Sequence, residues 1–233
     1  MEQRTITAYL IRRRPYQETG ALLALFTAKG VVHVIARGLQ QKKAARAVLE
    51  PFSKLWLSLT PRGDCLFLNK AQSCEAPLML AGKELFCGFY LNELVLSFVK
   101  YQDDTQFLFE RYGQVLHALA SQSTESASVL RLFEKYLLEF CGYGLPLSPF
   151  RQVTDGHYYF DQERGFVACH RQHRRAISAY SLHCLATEQL QEKLVLIECR
   201  QLMRQVIDSY LKQRPIHSRE LWQPVGSFAD SST

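Results

Sequence analysis

Lys42, Lys43 and Arg46 are separated by small residues in a stretch that could grip phosphates. They follow GVVHVIARG, in which Val32, Val34 and Ala36 fall on one strand face and His33, Ile35 and Arg37 on the other. Gly38 breaks the run, and Leu49, Pro51 and Phe52 begin another apolar one. A rigid strand feeding an adaptable basic loop suits a polyanion of variable shape, such as single-stranded nucleic acid. A solubilising loop between two strands is the competing reading of the same residues.

Residues able to do covalent chemistry are less well arranged. No Gly-rich phosphate loop, dinucleotide fingerprint, GxSxG or HExxH occurs. Asp103-Asp104 and Asp161/Glu163 could be recruited as metal-binding carboxylates of a nuclease, but nothing in their spacing demands it. Cys169, His170 and His173, with His157, are the only cluster of soft ligands. A zinc ribbon normally brings two CxxC-like knuckles, and the first is missing here. The competing reading is a ribbon held by packing of Tyr158, Tyr159, Phe160 and Phe166, with solvated histidines. No metal site and no catalytic residue is therefore expected.

Three further positions combine polarity with an apolar setting. Trp56 alternates with Leu55, Leu57 and Leu59, so leucines filling a barrel would turn it outward, toward a stacking base or a domain junction. Asn92-Glu93 interrupts an apolar helix and suggests a buried hydrogen-bonding pair at a domain interface. Arg131, on the third helix, is followed by an otherwise apolar surface, where it would either clamp a carboxylate or sit solvated.

The elements that must position these residues divide the chain. Residues 1–78 read as five short strands: around Ile6–Leu10, ended by Arg12-Arg13-Arg14-Pro15, then 21–27, 31–37, 55–59 and 66–68, with a hairpin turn at 61–64. Five strands in so short a span suggest a small closed barrel of the OB type. From about residue 80 the period becomes helical. Phe86, Phe89, Tyr90, Leu94, Phe98 and Tyr101 predict a helix over 82–101 with an aromatic stripe. Further helices are expected over 104–120, through Leu130–Cys141, over 180–190 and from Leu194 to Leu211. Between them, 147–176 carries two strand candidates, HYYFD and GFVAC, and reads as an inserted ribbon. The fold class is α+β: an N-terminal five-stranded OB-fold barrel over 1–78, then an α-helical domain over 79–233 with a small inserted β-ribbon.

Composition sets the partner class. The 233 residues are 47% hydrophobic with a net charge of +6. Residues 1–78 hold 12 Lys/Arg against five Asp/Glu, and the rest of the chain 16 against 17. The positive field thus belongs to the N-terminal third, which points to an anionic partner there. No run is long and apolar enough to span a membrane, and no strongly basic amphipathic helix is present to lie on one. The N-terminal stretch lacks an apolar signal core, and the seven cysteines contain no CxxC, so a cytoplasmic protein with free thiols is expected.

The order RPYQETGALLALFT, VVHVIARGLQQKK, LEPF, YLNEL, LRLFEKYLLEFCGYG and HSREL resembles the RecO family of recombination and repair proteins over nearly the whole chain. The resemblance implies an OB-fold followed by a helical domain interrupted by a zinc-finger-like segment. It implies binding to single- and double-stranded DNA, annealing of complementary strands, action with RecR, and help in loading RecA onto DNA covered by single-stranded-DNA-binding protein. It implies neither an enzyme nor a nucleotide cofactor, and a cytoplasmic, nucleoid-associated location. Carried over onto this chain, the DNA-binding positions are Arg37, Lys42, Lys43 and Arg46; Trp56 joins them as a candidate from its strand position alone. The acidic tail of the single-stranded-DNA-binding protein would dock on the helical domain with a carboxylate on Arg131. Where zinc-binding members carry a first cysteine pair this chain has SPFRQ, and of the second pair only Cys169 remains, which resembles the zinc-less branch. A metal-dependent nuclease and a pure protein adaptor are the alternatives from other classes.

Overall fold

The computed structural model describes residues 4–38, 48–100, 104–122, 126–211 and 216–219. Five strands come first: β1 Arg4–Tyr16, β2 Gly20–Thr27, β3 Gly30–Ala36, β4 Lys54–Arg62 and β5 Cys65–Ser73. They close a barrel in the order β1-β2-β3-β5-β4. All ladders are antiparallel except β3–β5, a short parallel pairing of Val34 with Leu66 and Ile35 with Phe67. Alternate positions fill the interior: Ala8 and Leu10, Leu23 and Leu25, Val32 and Val34, then Leu55, Leu57 and Leu59. The outward prediction for Trp56 follows this alternation, and its side chain is half-buried.

β1 departs from the expected strand. It continues through Arg12, Arg13, Arg14 and Pro15 rather than stopping at them. Two features make this tolerable. Beyond Tyr9, β1 pairs only with β2, so Pro15 removes no donor from a second ladder. A bulge at Ile11 also shifts the phase, so that Arg12 faces outward beside Ala24, and Arg14 beside Leu22. Only Arg13 shares a face with interior Leu23. Its Nη1 donates to the Leu49 carbonyl at 2.8 Å and pairs with Glu50 at 3.1 Å. The guanidinium thereby finds acceptors at the barrel's end instead of apolar side chains.

Helices follow: α1 Gly82–Phe98, α2 Gln106–Ala120, α3 Ser126–Phe140, then after the ribbon α4 Ala179–Thr187 and α5 Lys193–Leu211. Short 3-10 turns lie at Ser148–Arg151 and His217–Arg219. The chain forms two compact units, Met1–Glu110 with Ile216–Thr233, and Arg111–Pro215. In the first, α1 buries Gly88, Leu91, Leu94 and Val95, whereas Phe86, Phe89 and Phe98 are only half-buried. Of the expected stripe, Tyr90 and Leu94 are buried and the three phenylalanines only partly so, while Tyr101 lies outside the described residues. A Cβ on Gly88 would meet Leu80 Cδ1 at 2.6 Å and Phe52 Cε1 at 2.9 Å. Phe52, buried and at φ 71, leans on Phe89 at 5.4 Å. A bulky residue in left-handed backbone is costly, and here the Phe52 amide donates to the Leu10 carbonyl at 2.9 Å. The LEPF motif thus returns the chain from the basic stretch onto the barrel.

Asn92 and Glu93 act separately. Asn92 Nδ2 donates to the carbonyl of the bulged Ile11 at 2.8 Å, satisfying a group the ladder abandons. Glu93 accepts from the Ser218 amide and hydroxyl, at 2.9 and 2.6 Å.

In the second unit, β6 His157–Asp161 and β7 Gly165–Cys169 form the expected hairpin, and β8 Ile177–Ser178 adds a third strand beside β6. That strand was too short to read from sequence. Phe150, from SPFRQ, is buried edge-on against Tyr158 at 4.9 Å and Phe166 at 5.1 Å. SPFRQ thus supplies the ribbon with an aromatic anchor.

Candidate nucleic-acid interface

The outer barrel wall is assembled by register. Arg14, Leu22, Ile35, Phe67 and Thr60 are successive partners across β1, β2, β3, β5 and β4. Their sequence neighbours Leu23, Val34, Leu66 and Leu59 face the core, so this row faces away from it. Phe67 is half-buried, with two cations close to its ring. The Arg37 guanidinium lies 4.5 Å from its ring centroid and that of Arg62 5.6 Å. Both arginines are exposed. Arg62 enters the β4–β5 turn, where Gly63 at φ 58 supplies the left-handed conformation a tight hairpin requires. Arg14 is also exposed, and burial, followed by repulsion from Arg14, lowers the Arg12 pKa below its usual value. The result is an aromatic ring with planar cations close to it on a rigid wall. It can stack a base on the ring while guanidinium groups take phosphates.

The sequence candidates fall around this wall unequally. Arg37 is on it. Lys42, Lys43 and Arg46 lie outside the described residues, but the ends of their segment are described. It leaves the barrel after Arg37, beside Phe67, and returns at Leu49, which Arg13 holds. Trp56 pairs with Thr7 and Gln72, four residues along β4 from Thr60 and so about 13 Å away at ~3.3 Å per residue. Phe67, Arg62 and Arg14 were missed. The alternation that turned Trp56 outward applies equally to Phe67 between Leu66 and Leu68, so that signal was present. A different part of the outer wall is covered, where Tyr9 and Phe26 meet Phe109 at 5.1 and 5.7 Å.

Arg131 is neither solvated nor free. It is 8% exposed, and Nη2 pairs at 2.9 Å with Glu134, one turn along α3 and fully buried. Beside it, Lys135 Nζ and Tyr136 Oη donate to the two Glu188 carboxylate oxygens at 2.7 and 2.6 Å. Burial would raise the Glu188 pKa, but these hydrogen bonds hold it below the usual carboxylate value. Tyr136 is pushed up to about 12, first by burial and then by its bond to Glu188.

The catalytic candidates are occupied otherwise. Asp161 Oδ1 accepts the amides of Glu163 and Arg164, closing the ribbon turn. Asp103 lies outside the described residues. His173 stacks on Tyr159 at 4.7 Å, and His157 faces Cys169 across the ladder. Among the described residues no three His, Cys, Asp or Glu side chains gather as a metal site. The ribbon residues therefore do not fit zinc. Among the described residues no helix is long and apolar enough to cross a membrane.

Comparison with known proteins covers both parts of the chain. A family model described as Recombination protein O N terminal matches residues 1–77, and one described as Recombination protein O C terminal matches residues 80–220. The chain is similar to the DNA repair protein RecO of Coxiella burnetii, strain CbuG_Q212, 36% identical over 224 residues, covering 92% of this chain and 95% of that protein. It is 34% identical to that of Nitrosococcus oceani, covering 92% and 90%, and 31% identical to that of Pectobacterium atrosepticum, covering 93% and 91%.

Proposed function

This chain belongs to the RecO family of DNA repair proteins, and from that premise we propose that it is a non-enzymatic recombination mediator that binds and anneals single-stranded DNA. The observation carrying this reading is Phe67 with the Arg37 and Arg62 guanidinium groups close to its ring on the outer barrel wall. A strand laid there stacks a base on Phe67 and gives its phosphates to the two arginines and to Lys42, Lys43 and Arg46. Neutralising phosphates releases counterions and reduces repulsion between two strands. Annealing then needs only held strands brought together, with no bond made or broken by the protein. Double-stranded DNA is bound through the same phosphate contacts. In this reading the protein works with RecR, helps load RecA, and takes the acidic tail of the single-stranded-DNA-binding protein on its helical unit. Arg131, positioned by Glu134, is the cation we assign to a tail carboxylate. A mediator of this kind acts in the cytoplasm, at the nucleoid.

An annealing assay with fluorescent complementary strands tests this directly. The wild type should anneal equally well with magnesium or with chelator and leave strand length unchanged. Replacing Lys42, Lys43 and Arg46 with Ala should slow annealing and reduce the salt slope of single-strand binding by about 2, at ~0.7 per lost phosphate contact. Metal-dependent shortening would establish a nuclease instead, and absence of annealing would leave only an adaptor.

A further inference from the structure

We propose that the three-stranded ribbon carries a second, separate site for single-stranded DNA, built on Arg171, Arg174 and Arg175, so that one chain holds two strands at once. This rests on the nucleic-acid reading of the barrel but concerns the other compact unit. From Arg164 to Thr187 the chain has no Asp or Glu, while it has four arginines and three histidines. Arg171, Arg174 and Arg175 are exposed, and among the described residues no carboxylate pairs with any of them. Elsewhere in the same unit, buried Arg131 and Lys135 are neutralised by Glu134 and Glu188.

The turn bearing them is held in shape. The His173 amide donates to the His170 carbonyl and the Ala176 amide to the His173 carbonyl, each at 2.9 Å. The Arg175 amide donates to His173 Nδ1 at 3.2 Å. The same His173 ring stacks on Tyr159 at 4.7 Å and 29°, placing π surface beside the cations. Guanidinium forks suit phosphate, and a stacked ring pair suits a base. No large hydrophobic side chain between residues 154 and 178 is exposed, so nothing there would enter a lipid surface.

The test uses the full chain and two oligothymidylates, one with a donor dye and one with an acceptor, which cannot pair with each other. Sedimentation counts the chains in each complex. The wild type should give energy transfer from two strands on a single chain. Arg171→Ser/Arg174→Ser/Arg175→Ser should keep first-strand affinity within about twofold and lose the second strand. Lys42→Ala/Lys43→Ala/Arg46→Ala should instead weaken the first strand, and an unchanged melting temperature checks the fold of both variants. Undiminished transfer in the Ser variant, or two strands held only by two chains, overturns the proposal. A wild type that holds one strand also overturns it, as does a response to acidic peptide but not to DNA. If a Phe67→Ala barrel variant binds its first strand normally, the barrel reading fails. If first-strand binding is then lost in the ribbon variant, the two-strand proposal fails with it.

Discussion

Arg131 carries its charge into the helical unit, and the carboxylate compensating it, Glu134, belongs to its own helix. Removing Arg131 takes an ion-pair partner from a fully buried carboxylate. Arg131→Ala should therefore destabilise by about 3–5 kcal/mol in denaturant melts, and Arg131→Ala/Glu134→Gln should recover most of that loss. The double variant is then the proper reagent for the tail, and it should bind a tail peptide about tenfold more weakly, the equivalent of ~1.4 kcal/mol. Equal peptide affinity would place the tail elsewhere. Glu188 offers a pH test. Its pKa is depressed in the folded state, so its contribution is present above the unfolded carboxylate value near ~4.3 and lost as pH falls through the folded one. Tyr136, at about 12, contributes below its unfolded value near ~10 and loses that contribution as pH rises toward 12. The melting-temperature deficit of Glu188→Gln should accordingly be largest near neutrality and vanish in strong acid. A deficit independent of pH would contradict the charge-assisted arrangement.

At the scale of elements, alternation made the barrel legible. Leu55, Leu57 and Leu59 point inward and Trp56 outward, as period two requires. What alternation does not carry is closure: the parallel β3–β5 pairing is two residue pairs long and joins segments separated by the basic stretch. The bulge at Ile11 was also hidden, because the polar run after it looked like a strand end. Helix α1 misled for another reason. It is apolar on nearly every side, so the most visible stripe was aromatic, while the packing face is built on Gly88. Gly88→Ala should cost about 1–3 kcal/mol, since its Cβ must displace Leu80 and the ring of Phe52, itself fixed in left-handed backbone. A melt unchanged from wild type would show that this contact is loose.

Across the whole molecule, the charge asymmetry of the sequence directed attention to the N-terminal third, but not to the Phe67 ring. Cations are counted in composition, whereas Arg37 comes close to the Phe67 ring only once β5 closes against β3, and Arg62 through the β4–β5 hairpin. Arg131 shows the converse, a residue noticed in sequence whose burial only tertiary packing reveals. The claim that single-stranded DNA lies across Phe67 is tested most directly by salt titration of single-strand binding, followed by fluorescence anisotropy. Loss of one stacked base in Phe67→Ala should cost about 1–3 kcal/mol of affinity with the salt slope unchanged. Arg37→Ala/Arg62→Ala should reduce the slope by about 1.4. Wild-type affinity and slope in both variants, with melting temperatures intact, would contradict the assignment of this wall as the DNA-binding surface.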